Sequence, residues 1–378
     1  MTGGGSGTAA TVPGCVARGP GDLRVEALPV PEPGPGEVLI AVRFGGICGS
    51  DLHYWRHGGV GDFRLTEPMV LGHEVVGTVL AHGPGARGPA PGTVVAVHPA
   101  TPCGACPECL SGRRNVCRDT RYLGSAARTP HVQGGFTARL AVPAGQARAL
   151  PEGLGPRRAV LAEPLSVALH ALRRAGDVRG RRVLVTGAGP IGCLVVAAAR
   201  AAGAARVTVT DLLPAALEYG RLAGADAVVR ADDPADPGWP EEADVAVEAS
   251  GVAAGLDACL RRVRRGGVVV QLGMLPPGAS PIAGNLLVSR EIEVRGAFRF
   301  DTEFDDALRL LAAGPVFDRL ISAVVPVDEA RTAFALAADR SRSCKVLLDF
   351  GDGAASAPAP PETHTGHTGQ IGHTGHTG

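Results

Sequence analysis

The chain has 378 residues, room for two domains of ordinary size, and its balance of 45% hydrophobic to 20% charged residues fits a globular protein with a sizeable core. Lys plus Arg and Asp plus Glu both number 37, so no basic field exists to attract nucleic acid or an anionic membrane surface. No apolar run reaches the roughly 18 residues that cross a bilayer and Met1 to Thr11 lacks the regions of a secretory leader, so a reducing cytoplasm is expected, where cysteines bind metal or act in catalysis rather than form disulfides.

Residues 1–11 are small and polar, with too little to bury, and are expected to be disordered. From 12 to 162 the pattern is short and β-rich. Alternating runs such as Glu37–Arg43 and Thr93–Val97 are broken by Gly and Pro, which predicts a compact, barrel-like β domain. The texture changes at Glu163. A helix is predicted at Leu165–Ala175, a buried strand at Arg182–Thr186, a helix at Ile191–Ala202 and a strand at Arg206–Thr210. Helix Pro214–Ala223, strand Ala227–Val229, strand Asp244–Glu248, helix Ala253–Arg262, strand Gly267–Leu272 and strand Ile292–Ala297 follow. Such alternation implies βαβ units and a doubly wound parallel sheet, an α/β Rossmann domain over 163–298. Helices near Glu303–Ala313 and Asp328–Ala338 and a strand at Lys345–Phe350 come next. The segment 351–378 ends in His-Thr-Gly triplets and is read as a disordered tail. Gly (54) and Pro (31) are abundant and Lys345 is the only lysine, a bias that runs through the chain and is read as genome composition.

Gly187, Gly189 and Gly192 form G-x-G-x-x-G, with Pro190 and Ile191 between, directly after a predicted strand and opening a helix. The first glycine permits the tight turn, the second lets the backbone approach a pyrophosphate, and the third lets helix and strand pack closely. Amides at the helix start face the phosphates. Asp211 ends the next strand, about 20 residues on, where an acid binds ribose hydroxyls. Leu212 and Leu213 follow with no arginine beside them in sequence, so NAD is favoured over NADP.

Cys103, Cys106, Cys109 and Cys117 are spaced C-x2-C-x2-C-x7-C. Thiolates so close converge on one tetrahedral ion and close its shell, as in structural zinc; a disulfide pair and an iron–sulfur cluster are the competing readings. Cys48 lies in Gly46–His53, and Gly72-His73-Glu74 comes later. Cysteine, histidine and carboxylate together hold a zinc that keeps one position open. Cys15, Cys193, Cys259 and Cys344 are scattered and read as structural.

These motifs, in this order, resemble the zinc-containing medium-chain alcohol dehydrogenases, and the resemblance covers about Val12 to Phe350. Asp51–Trp55, Glu67–Glu74, Glu163–Ala168 and Gly296–Phe300 are similar to the sorbitol dehydrogenase branch. Tyr122–Ala126 and His131–Thr137 are similar to its members that oxidise L-idonate. The resemblance implies a GroES-like catalytic domain, a Rossmann domain, a site in the cleft between them, and a return of residues 299–350 to the catalytic domain. It implies two zinc ions per chain and NAD. Cys48 and His73 would bind the catalytic zinc, with Glu74 and Glu163 both open for the carboxylate role and Asp51 orienting the histidine. Ser50 would receive the substrate proton and His53 relay it. Tyr54, Arg299 and Phe300 would meet a polyhydroxylated small molecule, with Arg56, Arg64 and Arg128 as further carboxylate partners. The implied reaction takes hydride from a secondary alcohol of a sugar acid or polyol to NAD, in a homodimer or homotetramer. The alternatives are a sorbitol-, xylitol- or cyclitol-type substrate, or a zinc- and NAD-binding protein without turnover.

Overall fold

The computed structural model describes residues 10–351. The predicted disorder of 1–9 and of the His-Thr-Gly tail lies outside the described residues. Ala10 and Thr11 are already ordered: the first strand is Thr11–Gly19, and the Val30 amide donates to the Ala10 carbonyl at 3.0 Å.

Three sheets organise the chain. Thr11–Gly19 pairs with Asp22–Pro29 and with the short strand Met69–Val70. A seven-stranded sheet has Glu37–Gly46 at its centre, flanked by Glu74–His82 and by the last strand, Lys345–Asp349. The last strand pairs antiparallel with the central one, Leu347 opposite Gly46. It thereby carries the C-terminal strand into the seven-stranded sheet. A six-stranded parallel sheet has the order Ala227–Arg230, Arg206–Asp211, Arg182–Thr186, Ala243–Glu248, Val263–Gln271, Glu293–Gly296. Its first strand in sequence is central and the chain winds outward from it both ways, leaving a crevice at the strands' carboxyl ends.

The helix Ala162–Ala175 lies between the two large sheets. It buries Leu165, Ala168, Ala171, Leu172 and Ala175, a stripe at three- and four-residue spacing that turns one face to the core. Gly176, with φ of 92°, ends it. Around this helix one apolar cluster joins Phe44, Val76 and Leu161 to Val185, Val247, Phe304 and Leu308, so the helix that begins with Glu163 is seated against both sheets.

Some elements went unpredicted. Gly49–His57 is a helix and Ile321–Pro326 a strand. The strand predicted at Gly267 begins at Val263, and the helix predicted from Asp328 begins at Ala330 after a short 3-10 turn. Among the described residues no helix is long and apolar enough to cross a membrane.

Candidate active site

The central strand ends at Gly46 and the chain runs through Cys48 into the helix Gly49–His57. Asp51, in the first turn, is wholly buried. Its Oδ2 accepts the Cys48 amide at 2.9 Å and its Oδ1 the Gly72 amide at 3.1 Å. One carboxylate thus fixes the backbone at Cys48 and just before His73. Gly72 has φ of 94°, and a Cβ there would come within 2.1 Å of the Phe136 ring, so only glycine makes this turn. The donor atoms of Cys48, His73 and Glu74 then lie within 4.8 Å of one another. Asp51 Oδ1 is 3.9 Å from His73 Nδ1, an ion-pair distance and too long for a hydrogen bond; Asp51 acts mainly through the two amides. Burial opposes a charge on His73, yet Cys48 and Asp51 outweigh it and raise its pKa well above 6.5. The pocket attracts positive charge, and its thiolate, imidazole and carboxylate set fits zinc.

The two candidate carboxylates differ in their surroundings. Glu74 stands with Cys48 and His73, and both its oxygens accept from Lys345 Nζ at 2.8 Å. The ammonium also donates to the Ile47 carbonyl at 3.1 Å. Burial pushes the Glu74 carboxyl up to about 7 against the pull of this lysine. Glu163 is buried too, but its Oε1 accepts the Tyr122 hydroxyl at 2.7 Å. The Arg299 guanidinium stacks 4.3 Å above the Tyr122 ring. Glu74 is therefore the carboxylate grouped with Cys48 and His73, while Glu163 is bonded to Tyr122 beneath the stacked Arg299.

Ser50 and His53 are three apart on the short helix, hence on one face. Ser50 is half-buried and His53 exposed. Partial burial and the neighbouring His57 and Arg56 lower the His53 pKa, favouring the neutral imidazole that can take a proton. Two expected substrate contacts, Tyr54 and Phe300, lie among packed side chains. Tyr54 is 3% exposed and its hydroxyl accepts the Ala126 amide at 3.0 Å, so it holds a loop. Phe300 is equally buried, stacked on Phe304 and edge-on to His98. Phe300 also lines a cavity beside its neighbour Arg299. Arg299 is half-buried with φ of 53°. It borders a cavity of about 390 Å³ with His98, Thr101, Arg114, Asn115 and Arg148, which none of Cys48, Ser50 or His73 lines. Arg56 and Arg64 are exposed, and Arg128 is paired with Asp119. His131 and Gln133, from the motif similar to the L-idonate-oxidising members, accept the Thr66 and Val70 amides at 3.0 and 2.7 Å; they brace the segment before His73.

The four-cysteine loop forms a second cluster, its sulfurs within 4.8 Å of one another. Cys103 and Cys117 sulfurs are 3.5 Å apart, Cys106 and Cys117 sulfurs 3.7 Å. A tetrahedron of Zn–S bonds near 2.3 Å has sulfur–sulfur edges of about 3.8 Å, whereas bonded sulfurs lie about 2.05 Å apart. The Cys103, Cys106 and Asp119 amides point at these sulfurs, each at 3.4 Å. Amides of Ala105 and Cys106 help hold the Cys103 thiol down at about 7. The donor set fits a closed zinc site.

At the carboxyl edge of the parallel sheet, Gly187 has φ of 94° and a Cβ there would meet Ser250 at 2.8 Å; a Cβ on Gly192 would lie 1.8 Å from the Gly187 carbonyl. These contacts are the tight turn and close packing read from the motif. Pro190 opens the helix Pro190–Ala201. Asp211 ends its strand with Oδ2 accepting the Ala188 amide at 2.8 Å. Arg340 also pairs with it, an arginine that the neighbours of Asp211 in sequence do not disclose. Lys345 and Arg340 are the residues missed by sequence reasoning. A lone lysine in an arginine-rich chain was the one available signal, at Lys345.

Residues 34–152 match the alcohol dehydrogenase GroES-like domain and residues 190–313 the zinc-binding dehydrogenase family. Over 317 residues the chain is 40% identical to L-idonate 5-dehydrogenase (NAD(P)(+)) of Escherichia coli (strain K12), covering 82% of this chain and 91% of that one. It is 37% identical over 337 residues to sorbitol dehydrogenase of Gallus gallus, covering 87% and 93%. The solved structure of L-idonate 5-dehydrogenase from Escherichia coli superposes with a TM-score of 0.83 at 37% identity, over 90% of this chain and 98% of that one. The chain belongs to the zinc-containing medium-chain alcohol dehydrogenases, in the branch of sorbitol and L-idonate dehydrogenases, and is a zinc- and NAD-dependent oxidoreductase of secondary alcohols on polyols or sugar acids.

Proposed function

We propose that the chain oxidises L-idonate at C5 to the 5-keto acid, with NAD as hydride acceptor. The observation that carries the reading is the convergence of Cys48, His73 and Glu74 beside Arg299, stacked on the Tyr122 ring whose hydroxyl donates to Glu163. Cys48, His73 and Glu74 would hold the catalytic zinc; Cys103, Cys106, Cys109 and Cys117 would hold the structural one. When bound, zinc polarises the substrate hydroxyl as a Lewis acid and the nicotinamide takes up hydride. Ser50 accepts the hydroxyl proton and His53, one turn on, passes it to solvent. Arg299 presents a planar fork of donors that suits a carboxylate or vicinal hydroxyls. Gly187, Gly189, Pro190, Ile191 and Gly192 seat the pyrophosphate and Asp211 the adenosine ribose. The domains are taken as 12–162 with 299–350, and 163–298, in a cytoplasmic enzyme.

A homo-oligomer is part of this reading. Glu293–Gly296 is the outer strand of the parallel sheet, with Val294 44% and nearby Val288 87% exposed. The unpaired edge of this strand, with these valines exposed beside it, is the surface on which a second copy would pair. Sedimentation at equilibrium tests it, and a monomer refutes it.

The substrate is tested by NADH formation across L-idonate, other aldonates, hexitols and cyclitols. L-idonate is expected to give the highest kcat/KM. A clearly higher value for sorbitol assigns the polyol reading, which the 37% identity to sorbitol dehydrogenase keeps close behind.

A further inference from the structure

The nucleotide loop is reached by a cation from a distant part of the chain. Asp211 is only 6% exposed, and its oxygens are engaged: Oδ2 accepts the Ala188 amide at 2.8 Å and Oδ1 the Leu213 amide at 3.1 Å. Oδ2 also accepts from Nη2 of Arg340, whose side chain is 45% exposed. The same guanidinium lies over the glycine loop. A Cβ built on Gly189 would sit 3.8 Å from its Nη2 and 4.0 Å from its Nε.

Arg340 is delivered by a braced turn between the helix Ala330–Ala338 and the strand Lys345–Asp349. The Ser341 amide donates to Asp339 Oδ1 at 3.1 Å, the Ser343 amide to the Asp339 carbonyl at 3.1 Å, and the Ser343 hydroxyl to the Leu336 carbonyl at 2.6 Å. That turn belongs to the seven-stranded sheet, yet its arginine lands on the parallel sheet's nucleotide loop.

In this fold the acid at the end of the second strand meets the adenosine ribose. A carboxylate alone there repels a 2′-phosphate. Here its charge is met by a guanidinium that uses one N–H group on Asp211 and has five in all. Its planar fork matches phosphate oxygens, and half exposure leaves the side chain room to turn toward a ligand.

Building on the dinucleotide-site reading above, we propose that Arg340 is a specificity-determining residue for the adenosine 2′ position. It offsets the charge of Asp211 and binds a 2′-phosphate, so the chain takes NADP as well as NAD. Ribose hydroxyls of NAD share Asp211 with Arg340, which narrows the preference that the acid alone would impose.

The test is calorimetric titration of the zinc-loaded protein with ADP and with adenosine 2′,5′-bisphosphate, in wild type, Arg340→Ala and Arg340→Lys. Wild type is expected to bind both. Arg340→Ala is expected to shift the affinity ratio about tenfold or more toward ADP, the scale of a charge-assisted hydrogen bond, and Arg340→Lys to restore part of it. Equal weakening of both ligands by Arg340→Ala, or an unchanged ratio, overturns the assignment. Wild type that binds ADP but not the bisphosphate also overturns it while leaving the nucleotide site standing. Binding of neither ligand removes the nucleotide reading itself.

Discussion

Glu303 links the helix that starts with Glu163 to the turn that carries Arg299. Its side chain is 3% exposed. Oε1 accepts from His170 Nδ1 at 3.0 Å and lies 3.0 Å from Nη1 of Arg173, and Oε2 accepts the Asp301 amide at 2.8 Å. Burial pushes this carboxyl up, but the bonds from His170 and Asp301 prevail and hold it down at about 2, against 4.5. Because the folded value is depressed, the stabilisation is complete above pH 4.5 and is lost as pH falls toward 2. A shift of that size is worth about 3 kcal/mol. Discounted for solvent screening, that leaves about 2 kcal/mol. Glu303→Gln removes the charge and keeps the shape. Urea denaturation of both proteins over a pH series is expected to show the variant about 2 kcal/mol less stable near neutrality, with the gap closing below pH 4.5. A gap that stays constant into acid, or no gap at neutral pH, refutes the electrostatic reasoning.

Cys48→Ala is expected to lose one zinc and all turnover while circular dichroism stays unchanged. Cys103→Ala is expected to lose the other zinc and lower the melting temperature, because metal binding there contributes folding energy; a single zinc by metal analysis of the wild type would falsify the two-site assignment. Lys345→Met strands a buried carboxylate and is expected to cost about 3–5 kcal/mol in denaturant titration; a loss below about 1 kcal/mol, as for a surface pair, would show that Glu74 does not depend on it. Arg299→Leu is expected to raise KM or lower kcat for the sugar acid with zinc content and NAD binding intact, and unchanged kinetics would take Arg299 out of the substrate site.

What could be read in the sequence was what repeats or clusters locally. The four cysteines from Cys103 to Cys117, the glycines at 187, 189 and 192 and the alternating βαβ segments each fit within a few tens of residues. Their positions in the structure follow from spacing alone. The charged partners did not show, because Lys345 and Glu74 are 271 residues apart and Arg340 and Asp211 are 129 apart. Only the return of Lys345–Asp349 to the central strand brings them together, and that pairing leaves no periodic trace. The burial of Tyr54 and Phe300 did not show either: their motifs mark the neighbourhood of the site, while side-chain direction is decided by packing around Ala126, His98 and Phe304. The helix Gly49–His57 was hidden by its mixed polar sequence, which lacks an apolar stripe, and it forms because Asp51 caps the Cys48 amide.

The single lysine has a practical consequence for following this fold in solution. A lysine-specific endoprotease has one cleavable bond in the whole chain, after Lys345. In the native state that bond lies in a strand paired on both sides, with the side chain 2% exposed and bonded to Glu74 and Ile47. Cleavage therefore requires the closing strand to leave the sheet, and each cut yields the same two fragments. The rate of that cut measures the opening of one strand, the strand that pins both the Glu74 carboxylate and the turn of Arg340.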